Sequence, residues 1–151
     1  MQFECKHATP DHIETLLSLM QDFYAESGFA LNRASVAPAL HALLSNPSLG
    51  CIWLAYSNNL AIGHTVLTLR FTMEHEGLSG YIDDLYVLPQ YRRSGVGRCL
   101  LNELVAECRR RGCKSLQVEV GQSNFAALSL YEGFGLHAAT DGRVLASGPV
   151  V

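Results

Sequence analysis

The stretch Tyr81–Leu101, YIDDLYVLPQYRRSGVGRCLL, concentrates the residues of this sequence best suited to chemistry. An apolar, aromatic run passes into Arg92-x-x-Gly95-x-Gly97, and a helical pattern begins at once. Such a junction is an anion hole. Amides at a helix start have no acceptor within the helix, and the helix dipole is positive there. Glycines let the backbone come close to a bulky phosphate. Arg92, Arg93 and Arg98 add side-chain charge around Ser94 and Val96. Two other phosphate motifs do not fit. A P-loop needs Lys-Ser or Lys-Thr after its last glycine, and the dinucleotide fingerprint needs a third glycine within an early βαβ unit.

Asp83 and Asp84 lie within the apolar run just before this junction. Buried carboxylates are costly unless paired, and strand alternation sends neighbouring side chains to opposite faces. One acid can therefore face a ligand while the other makes a structural hydrogen bond. Glu119, in the next strand, is a third acid and reads equally well as a charged edge residue. Tyr131 falls one turn past Ala127 on a short helix capped by Ser123 or Asn124; by spacing alone it is a packed core tyrosine. The five cysteines, at positions 5, 51, 99, 108 and 113, show no C-x-x-C pair, and the six histidines show no H-x-x-x-H pair. Free thiols and no metal site are expected.

The elements that position these residues follow from periodicity. Residues 2–7 suit a short strand. Thr9-Pro10-Asp11 starts a helix with Ile13, Leu16, Leu17, Met20, Phe23 and Tyr24 on one face, ending near Gly28. A second helix is expected from Ser35 to Ser45, stopped by Asn46-Pro47. Residues 50–57, 61–73 and 79–87 read as an antiparallel meander with short turns. A helix from Gly95 to Gly112 buries Val96, Leu100, Leu101, Leu104, Val105 and Cys108, and its last turn gathers Arg109, Arg110 and Arg111 against the negative dipole end. A strand at 114–120, a helix at 125–132 and two short strands near 136–140 and 143–150 complete the order β-α-α-β-β-β-α-β-α-β-β. The class is α/β (α+β): a mixed, largely antiparallel central sheet with helices on both faces, in a single domain over 1–151.

Composition narrows the function. Net charge is −3, which argues against a nucleic-acid binder, and no 18-residue apolar run exists to span a membrane. The start, MQFECKHATPDH, lacks the apolar stretch of a signal peptide, so a cytoplasmic location is expected. The apolar ending RVLASGPVV, read as an uncovered strand edge, leads to the expectation of a homodimer.

Val87-Leu88-Pro89-Gln90-Tyr91-Arg92-Arg93-Ser94-Gly95-Val96-Gly97 resembles the coenzyme A-binding core of the GNAT superfamily of N-acetyltransferases, whose pattern is Arg/Gln-x-x-Gly-x-Gly/Ala after a strand ending in Val-x-Pro. A second family pattern, Asn-x-x-Ala-x-x-x-Tyr followed by a Gly-aromatic pair, is met by Asn124, Ala127 and Tyr131 and then Gly135-Leu136, with leucine in place of the aromatic. The element order is similar to the family's over nearly the whole chain.

The resemblance implies acetyl-CoA as cosubstrate. Its pyrophosphate would lie on the amides of residues 93–98, and its pantetheine arm on the strand backbone around Leu85, Tyr86 and Val87, with the Val87 N–H polarising the thioester carbonyl. It implies Tyr131 as the acid for the leaving thiolate. By position Asp83 is similar to a glutamate that helps deprotonate the amine in the family's diamine acetyltransferases; the shorter side chain favours a water relay. Asp84 would then bind the substrate cation. Direct attack in a ternary complex is favoured over an acyl-enzyme on Cys99. The acid pair and the negative charge favour a small cationic primary amine as acceptor. A protein or peptide amine, or a non-catalytic acyl-CoA sensor, are the alternatives.

Overall fold

Strand β2 (Gly50–Ser57) turns through Asn58-Asn59 into β3 (Leu60–Thr72), and both asparagines hold the left-handed conformation, at φ 49° and 65°. Asparagine tolerates that region, and a two-residue turn of this hand matches strand twist. β3 returns through Met73–Glu76 into β4 (Gly77–Val87). These three strands form the expected meander and the centre of a five-stranded sheet of order β1-β2-β3-β4-β5. β1 (Glu4–His7) pairs antiparallel with β2 at one side, and β5 (Ser115–Val118) pairs parallel with β4 at the other.

The computed structural model describes residues 1–150, in two compact units divided between Glu119 and Val120. The first unit holds the whole sheet, with helices on both of its faces. On one face lie α1 (Ile13–Glu26) and α2 (Arg33–Ser45). Leu16, Leu17, Leu19 and Met20 of α1 and Leu40 of α2 bury against Ile52, Leu54, Val66 and Tyr86. On the other lies α3 (Val96–Arg111), whose Cys108 approaches the sheet at Gly80; a β-carbon there would sit 2.9 Å from the Cys108 sulfur. Gly112 closes α3 in the left-handed conformation, φ 74°.

Local chemistry adjusts several boundaries. The segment expected to open α1 is a 3-10 turn, Pro10–His12, in which the Thr9 amide donates to His12 Nδ1 at 2.9 Å. α2 begins two residues earlier than expected because Asn32 caps it, its side-chain oxygen accepting from the Ala34 and Ser35 amides. The arginines ending α3 do more than meet a dipole. Arg110 and Arg111 both bond the buried Glu107, and Arg111 also donates to the Pro47 carbonyl at 2.6 Å. All five cysteines are free thiols.

In the second unit Asn124 caps α4 (Phe125–Glu132), accepting from the Ala127 amide at 3.2 Å. The two strands expected near 136–140 and 143–150 are not formed. Gly135 and Gly142 take positive φ, and Val144, Leu145 and Val150 are exposed. An isolated two-stranded ribbon is marginal in water. Among the described residues the strand edge on which the homodimer expectation rested is not formed.

Candidate cofactor and substrate site

The site begins with a break in the β3–β4 ladder. Leu67 faces Ile82 and Val66 faces Asp84, so Asp83 has no partner on β3 and forms a bulge. Beyond the bulge β4 runs on to Val87, whereas β5 pairs with it only from Ser79 to Ile82. Among the described residues, 83–87 thus have β3 on one edge and no strand on the other. Register says which amides face the open edge. The Leu88 amide donates to the Ile62 carbonyl at 2.8 Å, and inward- and outward-facing residues alternate in an antiparallel pair. The Tyr86 amide therefore points to β3, and those of Leu85 and Val87 point to the open edge.

The phosphate-type turn follows directly. Pro89–Tyr91 make a 3-10 turn, and Ser94 Oγ donates to the Tyr91 carbonyl at 2.5 Å. Arg93 and Gly95 both have positive φ, 59° and 91°. This coil turns successive amides outward as α3 starts at Val96. Cys99 is the first residue to close the helical ladder, donating to the Gly95 carbonyl at 3.0 Å. Among the described residues, the amides of Arg93, Ser94, Gly95, Val96, Gly97 and Arg98 have no backbone acceptor. Six free donors at a helix start form a cradle that fits a pyrophosphate. Cys99 lies one turn in, beside the Cys5 thiol of β1.

Arg92 is used differently from Arg93 and Arg98. Its Nε donates to the Val87 carbonyl at 2.8 Å, and its Nη2 meets Glu26 at the end of α1 at 2.6 Å. The guanidinium also lies over the Tyr86 ring, 5.6 Å from its centre. Arg92 ties the cradle to α1, while Arg93 and Arg98 are exposed.

The two acids part company at the bulge. Asp83 is exposed at the strand surface, yet its carboxyl is pushed above the usual carboxylate range by partial withdrawal from water and by the charges of Asp84 and Glu119. Asp84 turns inward on the α1 face, its side chain 11% exposed. Thr65 Oγ1 donates to its carbonyl at 2.9 Å, and its Oδ2 lies 3.5 Å from His64 Nε2. Tyr24, near the end of α1, has its phenol pushed up by burial and by Asp84 and Asp83. Phe23 stacks on Tyr86, ring centres 5.2 Å apart.

The structure thus brings Asp83, Asp84, Leu85, Tyr86, Val87 and the 92–98 turn together in the first unit. Asn124, Ala127 and Tyr131 share one helix in the second, where Tyr131 is buried. His64 and Glu26 were not picked out from the sequence, and Tyr24 was expected only on the apolar face of the first helix. The available signal was a histidine inside the apolar run AIGHTVL, where an unpaired polar ring is costly. Among the described residues no group of three or more His, Cys, Asp or Glu side chains gathers to hold a metal, and no helix is long and apolar enough to cross a membrane.

A 57-residue stretch is 46% identical to the ribosomal protein bS18-alanine N-acetyltransferase of Escherichia coli (strain K12), covering 38% of this chain and 38% of that protein. The match therefore spans well under half the length of that relative. Over 130 residues the chain is 26% identical to the thialysine N-epsilon-acetyltransferase of Caenorhabditis elegans, covering 86% of this chain and 80% of that one. An integron cassette protein from the mobile metagenome of Cole Harbour Salt Marsh has the same fold, with a TM-score of 0.85, 34% identity and coverage of 97% of this chain and 90% of its own. A predicted acetyltransferase of Clostridium acetobutylicum, solved with acetyl-CoA, shares the fold at a TM-score of 0.81 and 21% identity, over 97% of this chain and 96% of that one. Residues 13–136 match the acetyltransferase (GNAT) family in sequence. With its bulged fourth strand, open edge and amide cradle, the chain belongs to the acetyltransferase (GNAT) family, whose cosubstrate is acetyl-CoA.

Proposed function

We propose that the protein acetylates a primary amine of a small cationic molecule, by direct attack of the amine with no acyl-enzyme. The observation that carries this reading is the run of three features in succession along the chain: an acid pair at the bulge, an open backbone edge, and a helix start with free amides. Bound acetyl-CoA supplies an activated thioester. The amides of 93–98 hold the pyrophosphate, assisted by the Arg93 and Arg98 side chains. The edge at Leu85 and Val87 holds the pantetheine arm, and the Val87 N–H donates to the carbonyl oxygen as it gains charge. Asp84 receives the ammonium of the acceptor. Asp83, with its raised pKa, accepts the amine proton, directly or through water. Tyr131 Oη gives a proton to the departing sulfur.

The acidic surroundings of β4 support a cation. Asp83, Asp84 and Glu119 lie close enough to influence one another, and Asp22 and Glu26 act on Tyr86 from α1. The long partial likeness to the thialysine enzyme supports a small amine. A second reading, the N-terminal amine of a protein, draws on the 46% identical stretch shared with the bS18-alanine enzyme. A thiol-release assay with acetyl-CoA decides between them, using diamines, thialysine, aminoglycosides and peptides that begin with alanine. Turnover of diamines or thialysine well above the peptides supports the small-amine reading. Turnover of the peptides alone replaces it with the second.

A further inference from the structure

His64 lies in the middle of β3, wholly buried, on the sheet face covered by α1. The Phe23 ring meets it edge-on at 6.4 Å between centres, and the Tyr86 ring lies at 6.2 Å. A histidine in such an apolar box must place its two nitrogens carefully. Nε2 has one neighbour, Asp84 Oδ2, at 3.5 Å, while Nδ1 is buried with no partner. The orphan nitrogen identifies the tautomer. With hydrogen on Nδ1, the ring would bury an unpaired donor and turn the Nε2 lone pair toward a carboxylate. With hydrogen on Nε2, it donates to Asp84 and leaves only a lone pair unmatched, the less costly arrangement.

β3 then grips Asp84 twice with consecutive residues. Thr65 Oγ1 holds the main-chain carbonyl at 2.9 Å, and His64 Nε2 faces the carboxylate. The bulge at Asp83 makes this possible. It sets Asp84 opposite Val66 and diagonal to His64, on one face of the sheet. The titratable groups around this pair are Tyr24 and Glu26 on α1, Asp83 and Tyr86 on β4, and Arg92, which is engaged with Glu26.

We infer that His64 is a positioning residue: its Nε2–H fixes the Asp84 carboxylate in the orientation that receives the ammonium group of the acceptor. This rests on the amine-acetyltransferase reading above. It also assigns unlike parts to the adjacent acids, with a held Asp84 anchoring the cation and an exposed, unheld Asp83 left free to exchange protons.

The test uses His64→Leu, which keeps apolar bulk without a donor, and His64→Gln, whose amide nitrogen can stand where Nε2 stands. His64→Leu is expected to raise KM for the amine roughly tenfold or more, as befits loss of a hydrogen bond to a charged group, with acetyl-CoA affinity unchanged. His64→Gln recovers most of that loss. In an Asp84→Asn background, His64→Leu adds no further penalty, an outcome that a packing role alone would not give. Nitrogen-15 spectra of the imidazole supply a readout independent of turnover: the wild type shows the Nε2–H tautomer, and Asp84→Asn shifts that resonance. An Nδ1–H tautomer, a resonance blind to Asp84→Asn, or an unchanged KM in folded His64→Leu overturns the inference while the functional reading stands. A wild type that acetylates no amine overturns the functional reading, and this inference with it.

Discussion

Arg92 Nη2 lies 2.6 Å from Glu26 Oε1, joining the turn after β4 to the last residue of α1, while its Nε donates to the Val87 carbonyl at 2.8 Å. The amide and carbonyl of one residue in a strand share an edge, so Arg92 occupies the carbonyl beside the Val87 N–H proposed to face the thioester. Its guanidinium braces the turn after β4 against α1, and the proposed phosphate contacts are those of Arg93 and Arg98.

Glu26→Gln tests the brace without touching the cradle. The pair is partly exposed, 43% for the arginine and 39% for the glutamate, so global stability should change by less than about 1 kcal/mol. Acetyl-CoA affinity should nonetheless fall severalfold by calorimetry, to about the level of Arg92→Ala, because either change frees the turn. Affinity untouched in Glu26→Gln but lost in Arg92→Ala would return Arg92 to direct phosphate contact.

Asp83 titrates above the usual carboxylate range because of partial burial, Asp84 and Glu119. As a base it works only when ionised, so wild-type turnover should rise with pH through that elevated value. Glu119→Gln removes one repelling charge and should move this acid limb to lower pH. Asp83→Asn should lose turnover most just above that titration, where Asp83 is ionised and little free amine is present, and regain part of it at high pH, where free amine is abundant. The stability sign is opposite. A carboxyl whose folded pKa is raised costs stability once pH passes its unfolded value, so Asp83→Asn should unfold at a higher temperature than wild type near neutrality. Equal turnover of Asp83→Asn and wild type at every pH would remove Asp83 from the chemistry.

Tyr131→Phe keeps the ring and deletes only the proton donor. If the hydroxyl protonates the leaving sulfur, kcat should fall on the order of a hundredfold with acetyl-CoA affinity nearly unchanged. Full activity in this variant would make Tyr131 a packed tyrosine, the role that spacing alone suggests.

Glu107 anchors the end of α3. Its hydrogen bonds to Arg110 and Arg111 lower its pKa from 4.5 to about 2. A folded pKa below the unfolded one gives stability that is complete above the unfolded value and is lost as pH falls from about 4.5 toward 2. Glu107→Gln should cost on the order of 1–2 kcal/mol near neutrality, allowing for solvent screening at the two arginines. Urea unfolding should also depend less on pH between 5 and 3, a window taken from the same shift. An unchanged pH dependence would mean the ion pairs do not persist in solution.

Where each residue answers to near neighbours, the fold was legible from sequence. β2 and α4 occupy the expected ranges, 50–57 and 125–132, and Gly112 caps α3 as a terminal glycine should. The junction at 92–98 was legible for the same reason, since glycines and a helix start are local signals. What escaped depends on partners distant in sequence. The bulge at Asp83 appears only once β3 and β4 are in register. His64 meets Asp84 twenty residues away, and Arg92 meets Glu26 sixty-six residues away. Glu107 is buried on α3 because Arg110 and Arg111 pair with its carboxylate, which helical spacing alone does not reveal. The expected C-terminal strands rest on the strand propensity of apolar residues in RVLASGPVV, and propensity alone forms no ladder.

The proposed reaction is acetyl transfer to an amine from a cofactor cradled at the start of α3. The most direct test follows released thiol and acetylated amine together, in wild type and in Gly97→Trp, with acetyl-CoA and a diamine. Equal amounts of the two products are expected from the wild type, and sharply weakened acetyl-CoA binding with little product from a folded Gly97→Trp. A Gly97→Trp protein that binds and turns over acetyl-CoA like the wild type would contradict the cradle, and a wild type that binds acetyl-CoA yet acetylates no amine would contradict the activity.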